Sequence, residues 1–256
     1  HHLFRECLRY FDLKDFFEIA SIADIPSSGS GLGSSSSFTV GLINLLSTFQ
    51  GKTLTKEVIA EIACEIEIEK CGSPIGKQDQ YAASVGGFNK FIFNKDGTTE
   101  VKKIECDLKH INKFDDWVIV FHTGGTRNAN NILAAQNKKM ASLEKQNVMR
   151  EMVLLCDPLI DFLQRGDIAS IGSILDHAWG LKKSILDSIS NPDIDKYYNK
   201  AKKAGALGGK LLGAGQHGFL MFCAPPCQHE KITNTLCELQ KIDVNFEDKG
   251  TFNIKC

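Results

Sequence analysis

The stretch Ser28-Gly29-Ser30-Gly31-Leu32-Gly33-Ser34-Ser35-Ser36 decides the fold of this chain of 256 residues. Its three glycines permit backbone conformations closed to other residues and leave room for a ligand close to the main chain. The apolar residues that follow recur at helical spacing, so the loop leads into a helix N-terminus. They are Phe38, Leu42, Leu45 and Leu46. Successive N–H groups, the helix dipole and the serine hydroxyls together predict a phosphate-binding site here.

A flexible Gly/Ser linker is the competing interpretation of the same residues. We favour the binding loop because a linker does not lie between an apolar strand and an amphipathic helix. The strand is predicted around Phe17-Glu18-Ile19-Ala20. The loop also lacks the Gly-Lys-Ser/Thr ending of a Walker loop, so another kind of phosphate loop is expected.

The composition is that of an ordinary globular protein, with 43% hydrophobic residues, 24% charged residues and a net charge of −1. The two signs of charge are interspersed, so we expect neither nucleic acid nor a membrane as a partner. We find neither a run of about 18 apolar residues nor the apolar core of a signal peptide. Nine cysteines without repeated CxxC pairs indicate reduced thiols and a cytoplasmic location.

Hydrophobic periodicity predicts a mixed α+β chain built in two layers. Helices are expected over residues 2–13, 55–70, 167–187, 192–204 and 226–240. A longer amphipathic helix is expected to carry Val148, Met152, Leu155, Leu159 and Phe162 on one face. Strands are expected at residues 117–121 and 219–223, and hairpins over residues 89–104 and 243–255.

A second segment of chemical interest covers residues 67–81, where the carboxylates of Glu67, Glu69 and Asp79 flank a turn rich in Gly and Pro. Phosphoryl transfer needs a carboxylate to hold Mg²⁺ and often another to orient or deprotonate the attacking hydroxyl. Acidic residues on a helix are more often simply solvated, which is the alternative for this segment taken alone. Glu69 is expected to face solvent, because residues two apart do not share a helix face.

A third segment, residues 205–218, carries six glycines just before the strand expected at residues 219–223. One interpretation is a backbone surface that lies against a ligand or against the first loop. The alternative is a crowded turn between packed elements, and the sequence leaves both open.

The three segments, in this order, resemble the GHMP kinases, a family that includes galactokinase, homoserine kinase and mevalonate kinase. Residues 26–36 are similar to the family's phosphate loop, and residues 208–215 to its C-terminal glycine motif. Residues 76–83 with 86–89 resemble its catalytic segment in the form found in the D-glycero-D-manno-heptose 7-phosphate kinase branch. The resemblance extends over essentially the whole chain.

This resemblance implies a two-domain α+β fold. A ribosomal-S5-like N-terminal domain is expected over residues 1–113 and a ferredoxin-like C-terminal domain over residues 114–256. Family members begin with a strand and a glycine-containing motif that this sequence does not contain, so we expect the N-terminal domain to be incomplete.

The reaction that the resemblance implies is the ATP-dependent phosphorylation of the anomeric hydroxyl of a heptose 7-phosphate to the 1,7-bisphosphate. ATP and Mg²⁺ are the expected cofactors, and the product is expected to supply GDP-heptose for bacterial surface polysaccharides. Two alternatives remain: a GHMP kinase for another acceptor, such as fucose, galactose or a non-sugar alcohol, and a non-catalytic relative that binds nucleotide or sugar. A monomer and a homodimer are equally compatible with the sequence.

Roles for individual residues follow from the resemblance alone. Asp79 matches the catalytic carboxylate near the accepting hydroxyl. Glu67 matches the Mg²⁺-binding glutamate, with Ser35 as the hydroxyl ligand and Ser34 as its alternative. The residues expected to bind ATP are Ser28, Gly29, Gly31, Leu32, Gly33, Ser34, Ser35 and Ser36.

Substrate contacts are expected from Arg127, whose guanidinium would bind the phosphate already on the sugar, and from Gly213 and Gly215. Lys182 and Lys183 are further candidates, with an exposed helix charge as the alternative for each. Gln216-His217 stands where relatives usually carry two more glycines, and these side chains are expected to narrow the pocket.

Overall fold

The structure, a computed structural model, describes residues 2–14, 18–24, 31–125 and 129–254. They form two compact units. The first holds residues 2–14, 18–24, 33–104 and 246–254, and the second holds residues 31–32, 105–125 and 129–245. The predicted α+β organisation in two domains is confirmed, while the placing of the domain boundary at residue 113 stays a prediction.

The first unit is a helical layer with one hairpin. Its helices are α1 (His2–Tyr10), α2 (Ser34–Phe49), α3 (Lys56–Cys64), a π-helix (Glu65–Lys70) and α4 (Gln78–Val85). Its strands are β1 (Asn89–Phe93) and β2 (Thr99–Lys103), which pair antiparallel. The core is made by the apolar faces of α1, α2 and α3 and by the start of the π-helix, through Leu3, Cys7, Phe11, Val40, Leu42, Ile43, Leu46, Ile59, Ile62, Ala63 and Ile66.

The helix predicted over residues 55–70 is present but changes type part way along. It begins after Thr55, whose side chain accepts a hydrogen bond from the N–H of Val58. The i→i+5 hydrogen bond of the π-helix runs from the N–H of Cys71 to the carbonyl of Ile66 at 2.9 Å. The wider turn buries the adjacent residues Ile66 and Glu67 together.

Residues 246–254 belong to the first unit and run beside the C-terminal end of α4. The N–H of Thr251 donates to the carbonyl of Ser84 at 3.1 Å, and the ammonium of Lys56 donates to the carbonyls of Val85 and Lys249. A hairpin predicted over residues 243–255 is therefore wrong for the described part, residues 243–254. Their backbone bonds to distant residues instead of to a partner strand within the segment.

The second unit combines helices with one sheet. Its helices are α5 (Leu108–Trp117), α6 (Ala129–Lys139), α7 (Leu143–Leu154), α8 (Cys156–Arg165), α9 (Ile168–Ile185), α10 (Pro192–Ala204) and α11 (His229–Thr235). Its strands are β3 (Val118–His122), β4 (Gly208–Leu211), β5 (Phe219–Cys223) and β6 (Gln240–Ile242). Short 3₁₀ turns cover Asp187–Ile189 and Pro226–Gln228.

The sheet has the strand order β4-β5-β3-β6, and every neighbouring pair is antiparallel. In chain order, β3 and a run of helices precede the β4-β5 pair, and α11 then leads to β6. This βαββαβ arrangement is the ferredoxin-like topology that was expected. Helix α9 packs on the sheet, and its Trp179 and Ile185 join Phe121 and Phe222 in the core of the unit.

Helices α9 and α10 confirm two predictions, and each starts at a side-chain cap. Asp167 accepts from the N–H of Ser170 at 3.2 Å, and Asn191 accepts from the N–H of Ile194 at 2.9 Å. The single long helix predicted through residues 148–162 is wrong, because α7 ends at Leu154 and α8 begins at Cys156. Pro158 has no N–H to donate to the carbonyl four residues before it, which interrupts a continuous helix there.

Two further expectations differ from the structure. Residues 18–20 form no strand, and Phe17 lies outside the described residues. The helix predicted over residues 226–240 is shorter, since α11 ends at Thr235 and Gln240 pairs with His122 in the sheet. The hydroxyl of Thr235 donates to the carbonyl of Lys231 at 2.8 Å, as such residues do when they weaken a helix from within. Within the described ranges, every helix is too short or too polar to cross a bilayer.

Candidate functional site

A buried carboxylate, that of Glu67, is the centre of a polar cluster in the first unit. The residue is 1% exposed. Its Oε1 accepts hydrogen bonds from the hydroxyls of Ser35 at 2.7 Å and Thr39 at 3.3 Å. Its Oε2 accepts from the hydroxyl of Ser36 at 2.8 Å and from the amide of Gln80. These contacts on both oxygens hold the carboxylate in one orientation.

Helix α2 supplies three of those donors from its first two turns. Ser35 and Thr39 are four residues apart and share one face of the helix. The Thr39 hydroxyl also lies 3.0 Å from the carbonyl oxygen of Ser35. The helix starts after Gly33, which has φ 69° and no side chain to cap the first turn. The N–H groups at the N-terminus of a helix favour an anion.

The negative charge of Glu67 has no cationic partner in the part of the chain that the structure describes, where no lysine, arginine or histidine forms an ion pair with it. Buried charges are normally paired or coordinate a metal ion. Mg²⁺ is commonly bound by one or two carboxylates together with substrate phosphates. A buried, unpaired carboxylate beside the hydroxyl of Ser35 therefore fits a Mg²⁺ ion that shares its ligands with a nucleotide.

Groups of three or more His, Cys, Asp or Glu side chains that could hold a metal ion by themselves are absent from the described residues. A Mg²⁺ ion that takes oxygens from a nucleotide does not need such a protein cage. The candidate site is thus one carboxylate, Glu67, with the hydroxyls of Ser35 and Ser36.

Asp79 lies in the first turn of α4 and is exposed. A Cβ atom placed on Gly33 would be 3.5 Å from Cγ and 3.6 Å from Oδ2 of Asp79. The carboxyl group therefore lies against the residue that starts α2. The structure brings Asp79, Ser35 and Glu67 to the same end of that helix, as the roles expected of them require.

The predicted phosphate loop is described only in part. Ser28 and Gly29 lie outside the described residues. Gly31 and Gly33 have φ values of 83° and 69°, the left-handed conformation that glycine adopts without strain. Leu32 connects them, and Ser34, Ser35 and Ser36 form the first turn of α2. The expected transition from loop to helix is confirmed at Gly33.

Glu67 and Glu69 both lie in the π-helix, but Glu67 is buried and Glu69 is not. Glu69 is exposed, as predicted from its separation of two residues from Glu67. The π-helix is closed at its end by the N–H of Ser73, which donates to the carbonyl of Glu67 at 3.0 Å. Short π-helical segments are rare and frequently lie at functional sites.

Thr39 and Gln80 are two members of the cluster that the sequence interpretation missed. Thr39 stands one helical turn after Ser35, and this i,i+4 spacing was a usable signal. Gln80 follows Asp79 directly, but its side chain bonds to a residue 13 positions earlier in the chain. Nothing in local spacing indicates that contact.

The third segment, in the second unit, contains β4 and the turn that joins it to β5. Three glycines there are required by internal packing. A Cβ atom on Gly208 would overlap the carbonyl of Gly172, and one on Gly209 would overlap the carbonyl of Met221. A Cβ atom on Gly215 would lie 2.6 Å from the carbonyl oxygen of Ile189. The alternative of a crowded turn between packed elements accounts for these three.

The turn itself is held by side chains of neighbouring helices and loops. Lys182 of α9 donates to the carbonyl of Gly213 at 2.6 Å, and Asn191 donates to the carbonyl of Gln216 at 2.7 Å. Thr123 exchanges hydrogen bonds with Gly218, donating its hydroxyl at 3.1 Å and accepting the N–H at 3.0 Å. The backbone of the turn is therefore preformed.

Gln216 and His217, which depart from the family pattern, change the backbone conformation and the free space at this turn. Gln216 has φ 65°, a left-handed conformation that favours glycine. The imidazole of His217 lies so close to Gly125 that a Cβ atom on that glycine would be 2.7 Å from Nδ1. Both side chains occupy space that glycines would leave open.

The other residues expected to contact the substrate are Arg127, Lys182 and Lys183. Arg127 lies outside the described residues. Lys182 bonds to the turn, as above, and Lys183 forms an ion pair with Asp195 at 2.9 Å. Neither lysine is a simple solvated helix charge.

Comparison with family models gives two matches. The model for the GHMP kinases N terminal domain matches residues 2–87, and the model for the GHMP kinases C terminal region matches residues 159–238. The two matches fall in the order expected from the sequence motifs.

Comparison with individual proteins points the same way. D-glycero-alpha-D-manno-heptose 7-phosphate kinase of Campylobacter jejuni is 30% identical over 246 residues, which cover 93% of this chain and 72% of that protein. L-fucokinase/L-fucose-1-P guanylyltransferase of Bacteroides fragilis is 28% identical, and the match covers 93% of this chain but 26% of that longer protein.

Among solved structures, a D-glycero-D-manno-heptose 1-phosphate kinase from Bacteroides thetaiotaomicron matches with a TM-score of 0.75 and 24% identity. The match covers 97% of this chain and 72% of that one. At this identity the likeness establishes the fold. Together with the two family models and the Campylobacter relative, it shows that the chain belongs to the GHMP kinase family and is a phosphotransferase.

Proposed function

We propose that the protein transfers the γ-phosphoryl group of ATP to the anomeric hydroxyl of D-glycero-D-manno-heptose 7-phosphate and forms the 1,7-bisphosphate. The observation that carries the proposal is the buried carboxylate of Glu67, held by Ser35 and Ser36 at the start of α2. The choice of acceptor is supported by the Campylobacter relative, which is a heptose 7-phosphate kinase.

ATP binding is assigned to the loop before α2 and the first turn of that helix. Backbone N–H groups and the helix dipole favour the negative charge of the phosphates. The residues proposed to bind ATP are Ser28, Gly29, Gly31, Leu32, Gly33, Ser34, Ser35 and Ser36. The left-handed conformation of Gly31 and Gly33 supports a close approach of the phosphates to the backbone.

Glu67 and Ser35 are the residues that would hold Mg²⁺. When bound, the ion neutralises charge on the phosphate oxygens of the nucleotide. The protein's own contribution is to fix the carboxylate by the donors from Ser36, Thr39 and Gln80 before the nucleotide arrives. Such preorganisation avoids movement of the ligand during the reaction.

Asp79 is proposed to orient the accepting hydroxyl and to take its proton. The hydroxyl oxygen forms a new bond to the γ-phosphorus as the bond from that phosphorus to the leaving oxygen of ADP breaks. The proton of the hydroxyl passes to the carboxylate of Asp79, so charge and atoms balance. Exposure of Asp79 at the start of α4 leaves it accessible to a sugar.

Substrate contacts are proposed for Arg127, Gly213 and Gly215. A guanidinium binds a phosphate by paired hydrogen bonds, which suits Arg127 for the 7-phosphate of the sugar. The reaction would take place in the cytoplasm and supply GDP-heptose for bacterial surface polysaccharides.

The test is an acceptor screen with the complete protein, measuring ADP release with D-glycero-D-manno-heptose 7-phosphate, L-fucose, galactose and mevalonate in turn. We expect the heptose phosphate to give the highest kcat/KM and the product to carry phosphate at its anomeric carbon. A higher kcat/KM for L-fucose or galactose would show that this sugar is the acceptor instead of the heptose phosphate. L-Fucose is included because of the match to the Bacteroides L-fucokinase. ATP binding without transfer to any acceptor would indicate a non-catalytic relative instead.

A further inference from the structure

Gln80, the third residue of α4, is completely buried, at 0% exposure, although the two residues before it are exposed. Its amide nitrogen donates to Oε2 of Glu67. Its amide oxygen, Oε1, has no hydrogen-bond partner among the described residues. The side chain therefore satisfies the carboxylate but leaves its own acceptor open.

The orientation of this amide is determined by its neighbour. Turning the amide over would place Oε1 of Gln80 against Oε2 of Glu67, so that two acceptors would face each other. Only the orientation with the nitrogen on the carboxylate gives a hydrogen bond. The open acceptor is thus a consequence of the contact with Glu67, and a buried acceptor without a donor costs stability.

The position of Gln80 in α4 also connects the two carboxylates of the site. Asp79, the preceding residue, is exposed and lies against Gly33, while Gln80 points to Glu67. Successive residues in a helix project in directions about 100° apart, so one turn of α4 presents both side chains. A displacement of this turn would move both contacts together.

We propose that Gln80 is a positioning residue: it holds the carboxylate of Glu67 in the orientation that binds Mg²⁺. The proposal rests on the proposed function of Glu67 as the metal ligand.

The test is to replace Gln80 by methionine, which has a similar length and no hydrogen-bonding amide. Mn²⁺ serves as a spectroscopic probe in place of Mg²⁺, and its binding is measured by electron paramagnetic resonance in the presence of a non-hydrolysable ATP analogue. We expect Gln80→Met to weaken Mn²⁺ binding about 10- to 100-fold, the usual effect of losing a group that orients a metal ligand. Binding of the nucleotide without metal should change less than about twofold, because the amide of Gln80 bonds to Glu67.

Gln164→Met is the control, since Gln164 is an exposed glutamine in α8 of the second unit, outside the residues assigned to the site. It should leave Mn²⁺ binding unchanged. Gln80→Asn keeps the amide but withdraws it by one methylene, and we expect an intermediate loss of Mn²⁺ affinity. This second variant decides the matter if Gln80→Met does not fold.

The outcomes separate this proposal from the function on which it rests. Wild-type protein that binds no Mn²⁺–nucleotide complex would overturn both. Wild-type binding with unchanged Mn²⁺ affinity in folded Gln80→Met or Gln80→Asn would overturn the positioning role alone. If Gln80 had a purely structural role, its variants would unfold at a lower temperature but bind Mn²⁺ normally when folded. That result would also overturn the positioning role.

Discussion

The hydroxyl oxygen of Ser35 lies 2.7 Å from Oε1 of Glu67, and this hydrogen bond joins the first turn of α2 to the π-helix across 32 residues of sequence. Both residues are assigned to one metal ion in the proposed reaction. Their direct contact means that the two proposed ligands are already adjacent, so binding of the ion would replace one hydrogen bond and would not require a helix to move.

The first prediction concerns Asp79. Asp79→Asn keeps the shape of the side chain but removes its ability to take a proton, so kcat should fall by about two to four orders of magnitude. ATP affinity should change little, since asparagine has the same shape as aspartate beside Gly33. Steady-state rates and nucleotide titration check both points. Asp243→Asn, at a side chain that is 93% exposed, should have no effect on either. Near-normal turnover of Asp79→Asn would remove the catalytic role.

The second prediction compares Glu67→Gln with Glu69→Gln in the same π-helix. The amide of a glutamine at position 67 can face the hydroxyls of Ser35 and Thr39, which are able to accept hydrogen bonds. The protein should therefore fold normally, while the charge needed for Mg²⁺ is lost. We expect the Mg²⁺ concentration for half-maximal rate to rise at least about tenfold.

Glu69 is exposed, so Glu69→Gln should keep the wild-type dependence on Mg²⁺. Initial rates over a Mg²⁺ series and a thermal unfolding curve for each variant complete the comparison. Equal Mg²⁺ dependence in the two variants would contradict the assignment of Glu67.

The third prediction concerns strain at Gln216. A non-glycine residue held in the left-handed region costs about 1–3 kcal/mol, and part of the gain from glycine is lost to the freedom of the unfolded chain. Gln216→Gly should therefore raise the free energy of unfolding by about 1 kcal/mol. Gln136→Gly, inside α6, should lower it by about 1 kcal/mol. Denaturant titration measures both, and a loss of stability in Gln216→Gly would contradict the strain.

The fourth prediction uses the contact between Gly86 and Gly250. Gly86 has φ 71°, and a Cβ atom there would overlap the backbone nitrogen of Gly250. Gly86→Ala should lower the free energy of unfolding by more than about 2 kcal/mol. Gly41→Ala, in α2 with open space around it, should raise it by about 0.5–1 kcal/mol. The same direction of change in both variants would be inconsistent with this packing.

The fifth prediction concerns alkaline pH. Burial raises the pKa of the thiols of Cys7, Cys64 and Cys223 to about 12. The folded protein therefore holds these protons at pH values where the unfolded chain, with thiol pKa about 8.5, has lost them. Stability is intact below about pH 8.5 and falls as the pH rises toward 12, by up to about 1.4 kcal/mol per pH unit for each thiol.

Urea titrations at pH 7.5, 9.5 and 10.5 test this dependence. Cys223→Ala removes one buried thiol and should reduce the alkaline loss of stability. Cys156→Ala removes an exposed thiol and should leave the loss as it is. Parallel curves for wild type and Cys223→Ala would show that the buried thiol does not contribute.

Elements with local signals were predictable from the sequence. The caps Asp167 and Asn191 indicate where α9 and α10 start, and the turn around Asp96 indicates the hairpin of β1 and β2. The start of α2 at Gly33 followed from the change between glycine-rich and helical patterns. These features depend on residues within a few positions of one another, which is why a pattern can reveal them.

Elements determined by distant partners were not predictable. Gln240 has a helical pattern before it, but pairing with His122 makes it part of β6. Residues 246–254 look like a hairpin, but their backbone bonds to α4. In the site, Gln80 was overlooked because its contact with Glu67 depends on how α4 packs beside α3, which continues into the π-helix.

The return of residues 246–254 to α4 has a consequence for biosynthesis. A domain normally begins to fold as soon as it leaves the ribosome, with the N-terminal one first. Here Gly86, which follows α4, packs against Gly250. Gly250 is translated only after all four strands of the sheet in the second unit. The unit that starts the chain is therefore the last to be completed, and a translation product that stops before residue 246 would leave the end of α4 exposed.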